Sequence, residues 1–252
     1  MDELLVEQAG PVLQVTFNRP EQRNAMTWSM YEKLVAACEL ADADDSVRVM
    51  VLRGAGGGAF VAGTDIAQFS TFDGPRGVEY EQQISDVLAR LMAVDVPVVA
   101  AVEGFCIGGG LALATAADIR VCTPDAKFGV PIARTLGNCL SLGSIDVLSQ
   151  LLGRSRVVDL LLTARFMEAD EAHTSGYVTT VTEDMDGTLE KLTGKLTGHA
   201  PLTMWATKEA VRRLAAGNRE DHDIVDRVYG SADFAGAVKA FTEKRKPEWT
   251  GR

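Results

Sequence analysis

Two glycine-rich segments carry the residue pattern most suited to chemistry. One is Gly57-Gly-Ala-Phe60-Val-Ala-Gly63-Thr64-Asp65-Ile66. The other runs from Ala100 to Ala114 and holds Gly104 and the triplet Gly108-Gly109-Gly110. Each follows a β-type run and places small residues where a helix can begin. At a helix start the backbone N–H groups lack intrahelical acceptors, and the helix dipole favours negative charge. Two such N–H groups converging on one oxygen stabilise an oxyanion, for instance the enolate of a thioester. Losing one donor of that kind costs roughly 3 kcal/mol of transition-state stabilisation. Either segment alone reads more simply as a tight turn or a close helix–sheet contact. The two together, in this order, are far more specific.

The elements that must hold these segments follow from hydrophobic spacing. Val12 to Phe17 alternates apolar and polar residues and reads as a strand, ended by Asn18-Arg-Pro20. Thr27 suits an N-cap, and Met30, Leu34, Val35 and Cys38 recur at helical spacing up to about Asp42. Val47 to Leu52 is a second strand, followed by the loop Gly54 to Gly58. A helix is expected over Val78 to Ala93 and strands over Val98 to Val102 and Ile119 to Cys122, with a small-residue helix over Leu111 to Ala117 between them. Strands alternating with helices argue for parallel β units. From about Gly143 the pattern is mostly helical, with a short strand near Val178 to Val181 and a helix opened by Pro201 that carries Trp205, Val211 and Leu214.

With these elements in place, the chain resembles the enoyl-CoA hydratase/isomerase (crotonase) superfamily over nearly its whole length. Phe17-Asn-Arg-Pro20 with Asn24-Ala-Met26 resembles that family's N-terminal signature. Phe60 to Ile66 and Gly104 to Gly110 resemble its two oxyanion segments. Ala117-Asp-Ile-Arg120 and Ala126-Lys-Phe-Gly129 resemble its next strand pair, and Ala240 to Arg245 its C-terminal motif. The resemblance implies an α/β fold: a ββα spiral core, taken as residues 1–195, and a helical trimerisation region, 196–252. It implies a homotrimer or a dimer of trimers and a bent acyl-CoA ligand, coenzyme A being part of the substrate and not a separate cofactor. By position, the oxyanion donors would be the N–H groups of Thr64 and Gly109. Ala62, Asp65 and Ile66 would meet coenzyme A, as would Phe241 and Lys244 across a subunit boundary.

The sequence departs from the family at its acids. Hydratases of the family carry a glutamate two residues after the glycine triplet, where this chain has Ala112, and another after the F-G-x-P turn, where it has Ile132 or Ala133. A third position used by relatives falls on Leu140 or Ser141. A positioned acid–base group contributes roughly 10²- to 10⁴-fold, so ordinary hydration is not carried over. Three readings follow. In the first, the enolate arises by decarboxylation of a malonyl-type thioester, with Arg134 placing the carboxylate bidentately. In the second, a substitute acid from Asp73, Glu79 or Glu81 supports hydration or isomerisation. In the third, the chain binds acyl-CoA without turnover. Cys139 offers a nucleophile or, more simply, a small packing residue.

Composition excludes other classes. The 252 residues are 46% hydrophobic and 24% charged, enough for one substantial core. Twenty-five basic residues against 35 acidic ones give a net charge of −10, which disfavours nucleic acid and anionic lipid as partners. The longest uncharged run, Gly104 to Ala117, has 14 residues, below the roughly 18 that a membrane span needs. Met1 to Gly10 has no basic signal region, and Cys38, Cys106, Cys122 and Cys139 form no C-x-x-C pair, so reduced thiols in the cytoplasm are expected. His173, His199 and His222 are scattered, with no cysteine at ligand spacing, and no metal is implied. Gly54-Ala-Gly56-Gly-Gly-Ala59 fits a dinucleotide-binding pattern, yet Phe60-Val-Ala-Gly63 after it does not open the helix that pattern needs. Ser141 and Ser144 lack a nucleophile elbow.

Overall fold

The apolar runs read from the sequence become the middle strands of a parallel sheet. The computed structural model describes residues 2–70 and 72–252. Along the chain, β1 (Leu4–Ala9) and β2 (Val12–Phe17) form an antiparallel hairpin, and α1 (Trp28–Ala43) follows. Strand pairs then alternate with helices: β3 (Val49–Gly54) and β4 (Ala59–Ala62) before α2 (Gly74–Met92), and β5 (Val98–Val102) and β6 (Phe105–Ile107) before α3 (Gly109–Ala116). Next come β7 (Ile119–Cys122) and β8 (Lys127–Gly129), before α4 (Leu142–Leu152) and α5 (Arg154–Thr163). β9 (Met167–Glu168), α6 (Ala169–Thr174) and β10 (Thr180–Val181) are followed by α7 (Met185–Thr197), α8 (Pro201–Ala215), α9 (His222–Tyr229) and α10 (Ala232–Thr242).

The first strand of each pair joins a six-stranded sheet of order β1-β2-β3-β5-β7-β10, and the second joins a four-stranded sheet of order β4-β6-β8-β9. The result is the ββα spiral that the resemblance implies. β3 shows why such strands read as unbroken apolar runs. Met50 and Leu52 face the main core, whereas Val49 and Val51 join Val99, Ala101 and Val121 beneath Met185 and Leu189 of α7. A parallel strand covered on both faces has no polar side to alternate with.

Local chemistry sets the element ends. Thr27 caps α1, its hydroxyl accepting from the Met30 N–H at 3.3 Å. α2 begins four residues before the expected Val78, because the Asp73 carboxylate accepts from the Arg76 N–H at 3.0 Å and Pro75 fits a first helical turn. The sequence reading omitted β1, β4, β6 and the two-residue β9. β1 is a sheet edge, mostly open to solvent, and β4 and β6 are short and bounded by glycine. β4 settles the dinucleotide pattern: after Gly58 the chain enters a strand, not a helix. No helix of the described residues is long and apolar enough to cross a membrane.

The two sheets and α3 meet at closest range around Gly110. A Cβ there would lie 2.0 Å from the Val61 carbonyl oxygen, a backbone atom of β4 that cannot step aside. Gly110→Ala is therefore expected to destabilise the fold by about 3 kcal/mol or more, lowering the melting temperature by roughly 6–12 °C on the usual scaling for a domain of this size. Thermal unfolding followed by circular dichroism checks this; an unchanged melting temperature would show that α3 is not pinned here.

Candidate active site

Thr64 lies just past the end of β4, and Gly109 is the first residue of α3. Two constraints bring them together. β4 and β6 pair in parallel with Ala62 beside Ile107, so the two strands end side by side. Gly108 then turns the chain at φ +58°, into α3, a conformation that suits glycine. A Cβ on Gly109 would lie 3.4 Å from Thr64 Oγ1 and 3.9 Å from the Gly63 carbonyl carbon. The Gly109 N–H opens a helix and so lacks an intrahelical acceptor. Thr64 lies in a parallel bridge to Met26 that uses the Gly63 carbonyl and the Asp65 N–H, leaving the Thr64 N–H outside it. Among the described residues neither N–H has a backbone acceptor.

The N-terminal signature frames Thr64. The Met26 N–H donates to the Gly63 carbonyl at 2.9 Å, and its carbonyl accepts from the Asp65 N–H at 2.9 Å. Buried Asn24 donates to the Ala55 and Ala59 carbonyls at 3.0 and 2.8 Å, and accepts from the Arg19 N–H at 2.9 Å. The Arg19 guanidinium pairs with Asp65 at 2.9 Å and donates to the Ala25 carbonyl at 2.7 Å. That hydrogen bond holds the Asp65 carboxyl below its ordinary pKa. Sequence reasoning quoted these residues as a signature without their task, which depends on contacts between segments 30 or more positions apart.

A hydroxyl chain braces the Thr64 side chain. Its Oγ1 lies 2.9 Å from the Tyr31 hydroxyl and 3.0 Å from the Tyr80 hydroxyl. Burial pushes both phenol pKa values up, so both groups stay protonated at neutral pH. Neither tyrosine was among the sequence candidates. Tyr31 sits in α1 as one apolar-face residue among several, and no spacing signal marks it.

Thr64 and Gly109 line a cleft of about 250 Å³, with Ala62, Ile66, Tyr80, Ala112 and Ile132 also in its walls. Among the described residues lining it, Glu81 is the only carboxyl group, and no lysine, arginine or histidine joins it. The three candidate acids thus separate. Asp73 is the cap of α2, and Glu79 pairs with Arg76 on the surface at 2.7 Å. Glu81 alone reaches the cleft. Its Oε2 accepts from the Ser141 N–H at 2.8 Å. Burial raises its pKa above the ordinary glutamate value, and the Ser141 hydrogen bond partly offsets that rise. Ser141 is itself fixed as the N-cap of α4, its hydroxyl accepting from the Ser144 N–H. Ser141 thus supplies a backbone donor to a carboxylate arriving from α2.

Other candidates lie elsewhere. Arg134 is exposed, is not among the residues that line the cleft, and stands over the Phe166 ring at 5.9 Å from the centroid. Cys139 is exposed on the rim of an adjoining recess, so it is not a core packing residue. Asp65 caps the 3₁₀ turn Ile66–Phe69, and Ile66 is 61% exposed at the cleft. Phe241, 85% exposed at the end of α10, and Lys244, at φ +55° beyond it, are not among the cleft's residues.

Comparison with known proteins gives the family of the chain. The sequence model of the enoyl-CoA hydratase/isomerase family matches residues 7–252. The chain is 31% identical to the short-chain-enoyl-CoA hydratase of Clostridium acetobutylicum over 98% of this chain and 97% of that one. It is 32% identical to the 2,3-dehydroadipyl-CoA hydratase of Escherichia coli over 100% of both. It superposes with a TM-score of 0.93 on a crystal structure described as an enoyl-CoA hydratase/carnithine racemase from Magnetospirillum magneticum, at 33% identity, covering 100% of this chain and 97% of the other. The chain therefore belongs to the enoyl-CoA hydratase/isomerase family.

Proposed function

We propose that this protein moves a double bond in an acyl-CoA thioester through an enolate, with Glu81 as the single acid–base group. The observation that carries this reading is one carboxyl group in the same cleft as two backbone N–H groups without protein acceptors. The thioester oxygen accepts from the Thr64 and Gly109 N–H groups. Ionised Glu81 takes a proton from C2 of a 3-enoyl thioester, and the C–H electron pair spreads into a dienolate. The Glu81 carboxylic acid returns that proton at C4, giving the 2-enoyl thioester and restoring the carboxylate. One group suffices because the proton it removes is the proton it delivers. Burial raises the Glu81 pKa above the ordinary glutamate value, which makes its carboxylate a stronger base for the first half.

Hydration is the second reading, favoured by the hydratase names of the relatives. It asks Glu81 to deprotonate water and then protonate C2. Decarboxylation loses its support, because Arg134 lies outside the cleft and no cation is among the described residues that line it. An uncharged acyl chain fits such walls better than a carboxylated one.

The assembly belongs to the same reading. Val211, Leu214, Tyr229, Val238 and Phe241 expose apolar surface on α8, α9 and α10, between 50% and 85% of each residue. Packing this face of 196–252 against further copies would bury it and carry Phe241 and Lys244 towards a neighbour's coenzyme A. Light scattering is expected to give the mass of three or six chains; a monomer at micromolar concentration contradicts it.

Glu81→Gln is expected to lower kcat for 3-enoyl thioesters by at least 10²-fold, with acyl-CoA affinity within threefold of wild type. The fold should not suffer. A carboxyl group whose pKa is raised by folding opposes stability once pH exceeds its unfolded value, so the neutral amide should leave the melting temperature at pH 7 unchanged or higher. Undiminished turnover by this variant rules Glu81 out.

The pH profile is a separate check. The base form is needed, so kcat/KM should fall as pH drops, through a limb lying above the ordinary glutamate range. Ser141→Pro deletes the N–H that favours ionised Glu81 and should move the limb to higher pH. Ser141→Ala removes the cap hydroxyl but keeps the N–H, and should leave the limb in place. Equal shifts in both variants would contradict a Ser141–Glu81 linkage.

A further inference from the structure

Three hydroxyl groups stand in a row beside the two donor residues, and a count of their protons gives the row a direction. Tyr31 is 3% exposed, and its phenol oxygen has one polar partner among the described residues, Thr64 Oγ1 at 2.9 Å. A buried O–H left unpaired costs about 1–3 kcal/mol, so the Tyr31 proton points at Thr64. Thr64 Oγ1 then gives its own proton to its one other partner, the Tyr80 hydroxyl at 3.0 Å. Tyr80 accepts there. Among the described residues its own O–H is left without an acceptor, since Glu81, beside it on α2, accepts from the Ser141 N–H.

That last proton belongs to the cleft. Tyr80 borders both the cleft and the wider recess beside it, but Thr64, to which its hydroxyl is bonded, lines the cleft alone. The Tyr80 ring meets Trp28, Phe69 and Phe72 edge on, at centroid distances of 5.6, 5.0 and 5.7 Å. Contacts of this kind favour definite ring orientations, so the hydroxyl oxygen is held and only its proton turns. The row also starts at the donors. A Cβ on Gly109 would lie 2.9 Å from the Tyr31 hydroxyl and 3.4 Å from Thr64 Oγ1. One phenol thus rests against the second donor residue and is bonded to the side chain of the first.

We infer that the Tyr80 hydroxyl is a third hydrogen-bond donor to the thioester oxygen, with its proton turned outwards by a one-way chain that begins at Tyr31. This rests on the enolate reading above. When C2 loses its proton, the C–H electron pair enters the C1–C2 bond and the carbonyl pair moves onto oxygen. Tyr80 keeps its proton throughout and strengthens its hydrogen bond as that charge develops. Tyr31 touches no substrate and acts as a positioning residue. With phenylalanine at 31 the Thr64–Tyr80 bond can run either way, and a bound thioester selects the outward arrangement.

The test uses butyryl-CoA labelled with carbon-13 at the thioester carbonyl. Carbon NMR reads the bound carbonyl, and proton NMR in deuterium oxide reads the rate of C2 exchange. Wild type is expected to move the carbonyl resonance downfield on binding. Tyr80→Phe keeps the ring and its packing. It should lose roughly a third of that movement, one donor in three, and slow C2 exchange about 10²-fold, with melting temperature unchanged and affinity within threefold. Tyr31→Phe should lose less than half as much of each. Losses in Tyr31→Phe that match those in Tyr80→Phe would show that both phenols only brace Thr64, and overturn the inference. A wild-type complex whose carbonyl resonance stays at its value in water overturns the enolate reading and this donor with it. A downfield movement and an exchange rate that both survive in Tyr80→Phe overturn this donor alone.

Discussion

The structure depends on how closely one helix start approaches one strand end. α3 begins against the backbone of β4, at a distance that admits no Cβ on Gly110 and little beside Gly109. This contact fixes where the Gly109 N–H lies relative to Thr64, and hence whether two donors can serve one oxygen. Everything around it holds the two partners still. β4 and β6 end together because they pair in parallel. The Arg19–Asp65 pair and the Met26 bridge hold Thr64 from behind. Donors held in advance cost no reorganisation when charge develops, and that preorganisation gives an oxyanion site its advantage over water.

Electrostatics support the second half of the proposed site. The cleft holds one carboxyl group, half-buried and without a cation among the lining residues, so burial dominates its pKa. Ser141 supplies a single N–H, enough to orient Glu81 without pairing its charge. The hydroxyl chain through Tyr31, Thr64 and Tyr80 adds polar groups that stay neutral. A largely apolar cleft with one carboxyl group among its described lining residues suits the proposed reaction, whose substrate gains and loses no charge overall.

Much of the fold was legible in the sequence, for reasons that particular elements show. β2 and β5 lie within the runs read for them, because alternation or a full apolar run marks a strand. Thr27 caps α1 as its position suggested. β4 was not legible as a strand, since four residues between glycines carry no periodicity. The candidate site was half legible. Thr64 and Gly109 stood out because glycines that permit close backbone approach leave a pattern. Among Asp73, Glu79 and Glu81, one-dimensional spacing had no means to choose: the difference is that Ser141, 60 positions away, meets only the last. Arg134 is the converse case, since Ile132 and Thr135 nearby in sequence line the cleft while its own side chain stands over Phe166.

The most direct test of the central claim removes the double bond from the substrate. If the two N–H groups stabilise an enolate beside a proton carrier, the protein should exchange the C2 protons of saturated butyryl-CoA with solvent deuterium, leaving the C3 and C4 protons untouched. Proton NMR in deuterium oxide reads this directly. Selective loss of the C2 signal is the result the account predicts. A thioester shown to be bound, with its C2 protons retained over many hours, would contradict it.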